Sequence, residues 1–146
     1  MKMRIAIACD HAGYEYKEAL KAQLEGKGFQ VEDFGTNSSE SVDYSDFVRP
    51  AANLVAAGAN PRGIIVGGSG NEAIVANRFP GVRCAVVWNE QTALLSKEHG
   101  DCNMIAIGQR MVSKEEALSI LDTWLAAKFK EGRHQRRIDK IDAGEK

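Results

Sequence analysis

Cysteine is scarce in this chain. Cys9, Cys84 and Cys102 are odd in number, and no pair has Cys-x-x-Cys spacing. Reduced thiols are the simplest reading, ahead of a disulfide or a thiolate zinc site. Long apolar runs are missing too. The longest are strand-length, so no segment is expected to span a bilayer. Neither sign of charge is in excess: 19 Lys and Arg against 20 Asp and Glu give a net charge of −1. A general nucleic-acid or membrane surface is therefore not expected. No internal repeat or low-complexity segment is present. Met1-Lys2-Met3-Arg4-Ile5 runs straight into a strand pattern, so no signal peptide and a cytoplasmic location are expected. In that setting the glycosylation acceptor Asn37-Ser38-Ser39 is a chance match.

The 146 residues suit one domain, 1–146, with a core of its own. Short β-branched runs alternate with helix-period segments. The pattern predicts strands over Met3–Cys9, Phe29–Phe34, Gly63–Val66, Arg83–Trp88 and Met104–Ile107. It predicts helices over Tyr14–Gly26, Tyr44–Ala57, Glu72–Asn77, Asn89–His99 and Lys114–Lys130. Ser113 with Glu116 forms a capping box for the last of these, and Gly100 stops the helix that ends at His99. Strands alternating with helices imply an α/β fold: a five-stranded parallel sheet between two helical layers, a three-layer α/β/α sandwich. Ile138 and Ile141, three apart, mark the segment after Gly132 as a packed, helical tail.

Ligands of such sheets bind at the carboxyl ends of the strands. Three predicted loops at that edge carry reactive side chains: Asp10-His11-Ala12-Gly13-Tyr14, Gly67-Gly68-Ser69-Gly70-Asn71-Glu72 and Gly108-Gln109-Arg110. The second is built for an anion. Glycines let backbone N–H groups approach a ligand, and a helix N-terminus adds positive potential. Glu72 is then either a helix-dipole partner or a base acting on what the loop binds. Gly68-x-Gly70-x-x-Ala73, with Glu90 further on, satisfies the looser dinucleotide fingerprint. It stands in the third βα unit rather than the first, and the chain is short for cofactor and substrate domains together. No Gly-Lys-Ser/Thr ends the loop, so it is not a P-loop. Asn71 stands where a nucleophile elbow needs glycine.

Each remaining candidate has a structural alternative. Asp10 could cap the next helix and His11 could be an ordinary loop histidine. His99 could be a helix-terminal histidine facing the dipole. Arg133, Arg136 and Arg137 could be a solvated face, although arginine grips phosphate bidentately and His134 adds a donor. By the predicted topology His99 lies at the amino edge of its own sheet. It joins the other candidates only if a second subunit presents it.

Taken together, the motifs resemble the ribose-5-phosphate isomerase B family of sugar-phosphate isomerases (RpiB/LacAB). The resemblance covers nearly the whole chain. It is carried by Cys9-Asp10-His11-Ala12-Gly13-Tyr14, Gly35-Thr36, Asp43-Tyr44, Gly68-Ser69-Gly70 and Ala76-Asn77-Arg78. It continues through His99, Asn103, Gly108-x-Arg110 and Gly132-Arg133-His134-Gln135-x-Arg137. It implies a Rossmann-like sandwich and a homodimer, or a dimer of dimers, with sites at the subunit interface and residues 132–146 packed on the partner. It implies no metal and no cofactor. The implied reaction interconverts D-ribose 5-phosphate and D-ribulose 5-phosphate. The alternatives are isomerisation of erythrulose 4-phosphate, allose 6-phosphate or galactose 6-phosphate, a non-catalytic sugar-phosphate-binding paralogue, and the dinucleotide oxidoreductase.

Two kinds of base occur in the family. One is a cysteine, at a position that here is Gly67; the other is a glutamate opening the next helix, which here is Glu72. The resemblance therefore implies Glu72 as base, His99 and Asp10 in ring opening, and Ser69 with the N–H groups of the Ser69–Asn71 loop around an oxyanion. His11, Tyr44, Gly68, Gly70, Asn71, Asn103, Arg110, Arg133, His134 and Arg137 are the implied substrate contacts. At two positions the chain differs from the family pattern. Asn71 directly precedes Glu72, where the glutamate branch has an intervening glycine, and Gly100 follows His99 in place of an asparagine.

Overall fold

The computed structural model describes residues 3–58 and 61–143; residues 1–2 and the end of the expected tail, 144–146, lie outside the described residues. Five strands, β1 (Arg4–Cys9), β2 (Gln30–Asp33), β3 (Arg62–Gly67), β4 (Cys84–Val86) and β5 (Met104–Gly108), form one parallel sheet in the order β2-β1-β3-β5-β4. The helices are α1 (Tyr14–Gly26), α2 (Tyr44–Ala56), α3 (Ala73–Ala76), α4 (Glu90–Glu98), α5 (Lys114–Ala126) and α6 (Arg133–Asp139). A 3-10 turn over His11–Gly13 precedes α1.

Strand periodicity sorts the core into two faces. Ile5, Ile7, Cys9, Ile64, Val66, Ile105 and Ile107 pack with Leu20, Leu24, Ile120, Leu121 and Trp124 of α1 and α5, and with Ala93 of α4. The opposite face is built of smaller side chains: Ala6, Ala8, Ile65, Met104 and Ala106 pack on Val48, Ala51 and Ala52 of α2 and Ala73 and Ala76 of α3. This is the expected three-layer sandwich. Its central strands are buried on both faces, as parallel strands must be. All three thiols are buried in it. Burial pushes Cys9 up to about 12 and Cys102 up to about 11, and raises Cys84 as well. At neutral pH they are protonated core side chains, not nucleophiles.

Most elements differ from the sequence reading by one residue at an end, and three differences have a physical consequence. α5 stops at Ala126, not Lys130, because Ala127 is extended (φ −69°, ψ 152°). β4 ends at Val86, leaving Trp88 outside the ladder and 54% exposed. α3 is a single turn capped by Glu72 rather than opened by it. The capping box of Ser113 and Glu116 forms as expected, and the segment after Gly132 is helical.

Strand order places the crevice. From β1 the sheet continues to β2 on one side and to β3 on the other. The carboxyl ends of β1 and β3 therefore flank the switch point of the topology, where open α/β sheets bind ligands. The loop beside it is held by Lys17 of α1, which is fully buried. Its Nζ lies 2.9 Å and 3.0 Å from the Asp33 carboxylate and donates to the Thr36 carbonyl at 2.8 Å. Burial pushes the Asp33 carboxyl up. Hydrogen bonds from Lys17, the Gly35 N–H and Lys21 outweigh it, so its pKa falls below the ordinary carboxylate value. Its stabilisation is present above the unfolded pKa and lost as pH falls through the folded one. Lys17→Met should cost about 3 kcal/mol at neutral pH, read by urea unfolding, because it leaves Asp33 buried with only Lys21 as ion-pair partner. The deficit should shrink in acid.

Candidate active site

Asp10 ends β1 and turns the chain. Its Oδ1 accepts N–H bonds from Ala12 (2.9 Å) and Gly13 (3.1 Å), so it does cap the following turn. At 7% exposure it is nevertheless walled into the crevice. His11 follows. Its Nδ1 accepts the Val42 N–H at 3.1 Å. In the neutral ring this assigns the proton to Nε2, which remains available as a donor.

The loop after β3 is fixed from both sides. Gln109 and Arg110 donate backbone N–H bonds to the carbonyls of Gly67 (2.7 Å) and Gly68 (3.0 Å). The Arg110 guanidinium lies over Gly68, its Nη1 2.9 Å from where a Cβ would stand. Gly70 has φ +91°, a backbone that L side chains rarely adopt, and a Cβ there would also meet Val86. Ser69 and Asn71 are exposed at the tip, while Gly68 and Gly70 are buried.

Glu72 is the group that sequence left ambiguous. It is 4% exposed, and its Oε1 is buried without a hydrogen-bond partner. The side chain folds back over Gly67, and its carboxyl group fills the space that a Cβ at position 67 would need. Burial raises the Glu72 pKa above the ordinary carboxylate value. The neighbouring Asp10 carboxyl raises it further, against the lowering pull of the backbone N–H groups of Glu72 and Gly70. A helix-dipole partner on the surface would show none of this. Asn71 and Glu72 are directly joined, and α3 after them is a single turn. Asn77 beyond it still brackets Cys84 through Nδ2–O (2.9 Å) and N–Oδ1 (2.8 Å) bonds.

The structure thus brings Asp10, His11, Gly68, Ser69, Gly70, Asn71, Glu72 and Arg110 to one edge, at the ends of β1, β3 and β5. Tyr44, 36% exposed, opens α2. A second group lies elsewhere. His99 caps the far end of α4, before β5, and is exposed. The ring of His134, from α6, stacks on it with centroids 4.4 Å apart and planes 10° apart. Arg133 and Arg137 are exposed on the same helix. Sequence offered no signal for that pairing, since the two histidines are remote in the chain and share no motif. Asn103 needs a correction as a substrate contact. Its Oδ1 accepts the Arg83 N–H and its Nδ2 donates to the Gly81 carbonyl, both at 2.8 Å, so its amide is committed to its own chain's turn at the amino edge.

A buried, unpartnered carboxyl beside glycine-loop N–H groups can take a proton from a bound ligand and stabilise the anion that results. The family described as Ribose/Galactose Isomerase matches residues 5–141. Ribose-5-phosphate isomerase B of Escherichia coli K12 is 41% identical over 141 residues, covering 96% of this chain and 95% of that protein. Among solved structures, ribose-5-phosphate isomerase B of Clostridium thermocellum superposes with a TM-score of 0.94 at 45% identity, covering 97% of this chain and 96% of that one. The enzyme of Mycoplasma genitalium, solved with bound ribulose-5-phosphate, gives 0.95 at 38% identity, covering 98% and 96%.

Proposed function

The chain belongs to the Ribose/Galactose Isomerase family, and on that premise we propose that it interconverts D-ribose 5-phosphate and D-ribulose 5-phosphate through a cis-enediolate. The observation that carries the mechanism is the buried Glu72 carboxyl with an unpartnered Oε1 beside the glycine loop. Glu72 removes the C2 proton and returns it to C1. Its raised pKa brings it nearer the neutral range, where a general base works best. The enediolate oxygen is held by N–H groups of the Ser69–Asn71 loop and by the Ser69 hydroxyl. Such preorganised donors contribute about 3 kcal/mol each to barrier lowering.

Ring opening needs a proton moved between the ring oxygen and the C1 hydroxyl, and Asp10 and His99 carry it. Within one subunit these two lie at opposite edges of the sheet, so His99 of the partner subunit completes the site. We propose a homodimer for that reason. Supporting it, Ile74, Val86, Trp88 and Met111 are 56%, 41%, 54% and 65% exposed, all on segments at or beyond the carboxyl ends of strands. Apolar side chains in that number along a rim are what a second copy would cover. The phosphate is held by His11 and Arg110 of one subunit and by Arg133, His134 and Arg137 of the other, where arginine supplies paired donors. Tyr44 and Asn71 border the sugar.

Incubation with ribose 5-phosphate, with ketose formation followed by absorbance, should give steady turnover without added metal or nucleotide. A folded protein inactive on pentose, tetrose and hexose phosphates alike would defeat the isomerase reading.

A further inference from the structure

A catalytic histidine is normally oriented by a hydrogen bond from its second ring nitrogen to a carboxylate or carbonyl. Among the described residues, no side-chain hydrogen bond involves His99. What holds it is a ring. His134 lies nearly parallel to it at 4.4 Å, buried beneath an exposed His99. The chain goes to some trouble to put it there. Lys130 donates its N–H to the Glu98 carbonyl at 2.9 Å, tying the segment after α5 to the end of α4. Then Glu131 and Gly132 take φ values of +49° and +60°, and α6 starts back toward His99. Glu131 thus holds a left-handed backbone that L side chains disfavour.

We propose that His134 is a positioning residue for His99, its ring fixing the plane of the His99 imidazole. The role rests on the isomerase reading above and is additional to the phosphate contact assigned there. The charged groups acting on His134 are Arg133 and Arg137 of α6 and Lys130 of the connecting segment, with Glu98 of α4 paired to Lys130 at 3.3 Å. Burial lowers the His134 pKa, and the neighbouring His99, Arg133, Arg137 and Lys130 lower it further.

Two variants separate this role from a phosphate contact. His134→Phe keeps a flat ring but no donor and no charge; His134→Ala keeps neither ring nor donor. Positioning predicts that both raise KM for ribose 5-phosphate. It also predicts that His134→Ala lowers kcat on the order of tenfold while His134→Phe stays within about threefold of wild type. In His134→Ala the His99 ring protons, followed by NMR, should lose the ring-current shift that a parallel ring at 4.4 Å imposes, and in His134→Phe they should keep it. An increase in KM alone, with kcat and the His99 ring-proton shifts unchanged in both variants, would overturn the proposal and leave His134 as a phosphate ligand only. The NMR readout needs no catalysis. A wild-type protein without turnover would therefore sink the isomerase reading while the ring-current shift still decides the stacking, and His134→Leu takes the place of His134→Ala if the latter fails to fold.

Discussion

Glu72→Gln should lower turnover of ribose 5-phosphate by about 10³-fold while leaving inorganic phosphate binding unchanged. The amide has nearly the volume of the carboxyl and keeps the space over Gly67 filled, so the loop need not move. What it loses is the ability to accept the C2 proton. The same substitution should make the protein more stable at neutral pH. With its folded pKa raised, the Glu72 carboxyl binds its proton more tightly in the native state than in the unfolded chain. Above that raised pKa the native state carries a buried ionised group at a cost. As pH falls through it toward the unfolded value, the cost disappears. The gain from Glu72→Gln, measured by urea unfolding, should therefore be present at pH 7 and fade in acid. Wild-type turnover should lose its base on the acid side at a higher pH than an ordinary carboxylate would give. Near-normal turnover in Glu72→Gln would remove Glu72 as the base. A residue whose removal stabilises the fold and abolishes its chemistry is the signature of a site kept for function.

Glu72 also explains why position 67 lacks a side chain. The carboxyl group stands where a Cβ at 67 would be, so a thiol there and a glutamate at 72 compete for the same volume. The sequence reading treated Gly67 only as the mark of an absent cysteine. In three dimensions the absence is required, because any side chain at 67 must displace the Glu72 carboxyl.

Much of this fold was legible because its signals are local. Strand runs such as Gly63–Val66 are apolar throughout, as strands buried on both faces must be. Capping at Ser113 depends on two residues three apart, and the glycine loop on five consecutive ones. Errors fell where the deciding contact is remote. α5 was read through to Lys130 because Ala127 to Lys130 have no helix breaker, yet the Lys130 N–H is drawn to Glu98 on another helix. Asn103 read as a substrate contact because its motif fits, although its amide is engaged by Gly81 and Arg83 from an earlier turn. The His99–His134 stack depends on two left-handed residues and a helix reversal that no periodicity encodes. Glu72 was legible as a base only through the family resemblance, because its burial is a property of the packed crevice alone.

Subunits carrying His99→Ala and subunits carrying Glu72→Gln should each be inactive alone and regain activity when mixed as hybrid dimers. The reason is geometric. In one subunit His99 precedes the amino end of β5, and Arg110 and the Glu72 loop lie at the carboxyl edge. A five-residue strand spans roughly 16 Å, far beyond the hydrogen-bond reach that proton transfer demands. A single subunit therefore cannot bring its own His99 to the sugar that its own Glu72 deprotonates. In a hybrid, one site combines Glu72 of the first subunit with His99 of the second, and the other site has neither. Random exchange of equal amounts makes half the dimers hybrid with one working site each, so activity should return to about a quarter of wild type. Each parent should stay at least about 10²-fold below wild type. Native mass spectrometry of differently tagged subunits gives the hybrid fraction, and recovered turnover should rise in proportion to it. Hybrids formed in that proportion but still inactive would mean that each subunit acts alone, and the route of the ring-opening proton would then have to run through Asp10 without His99.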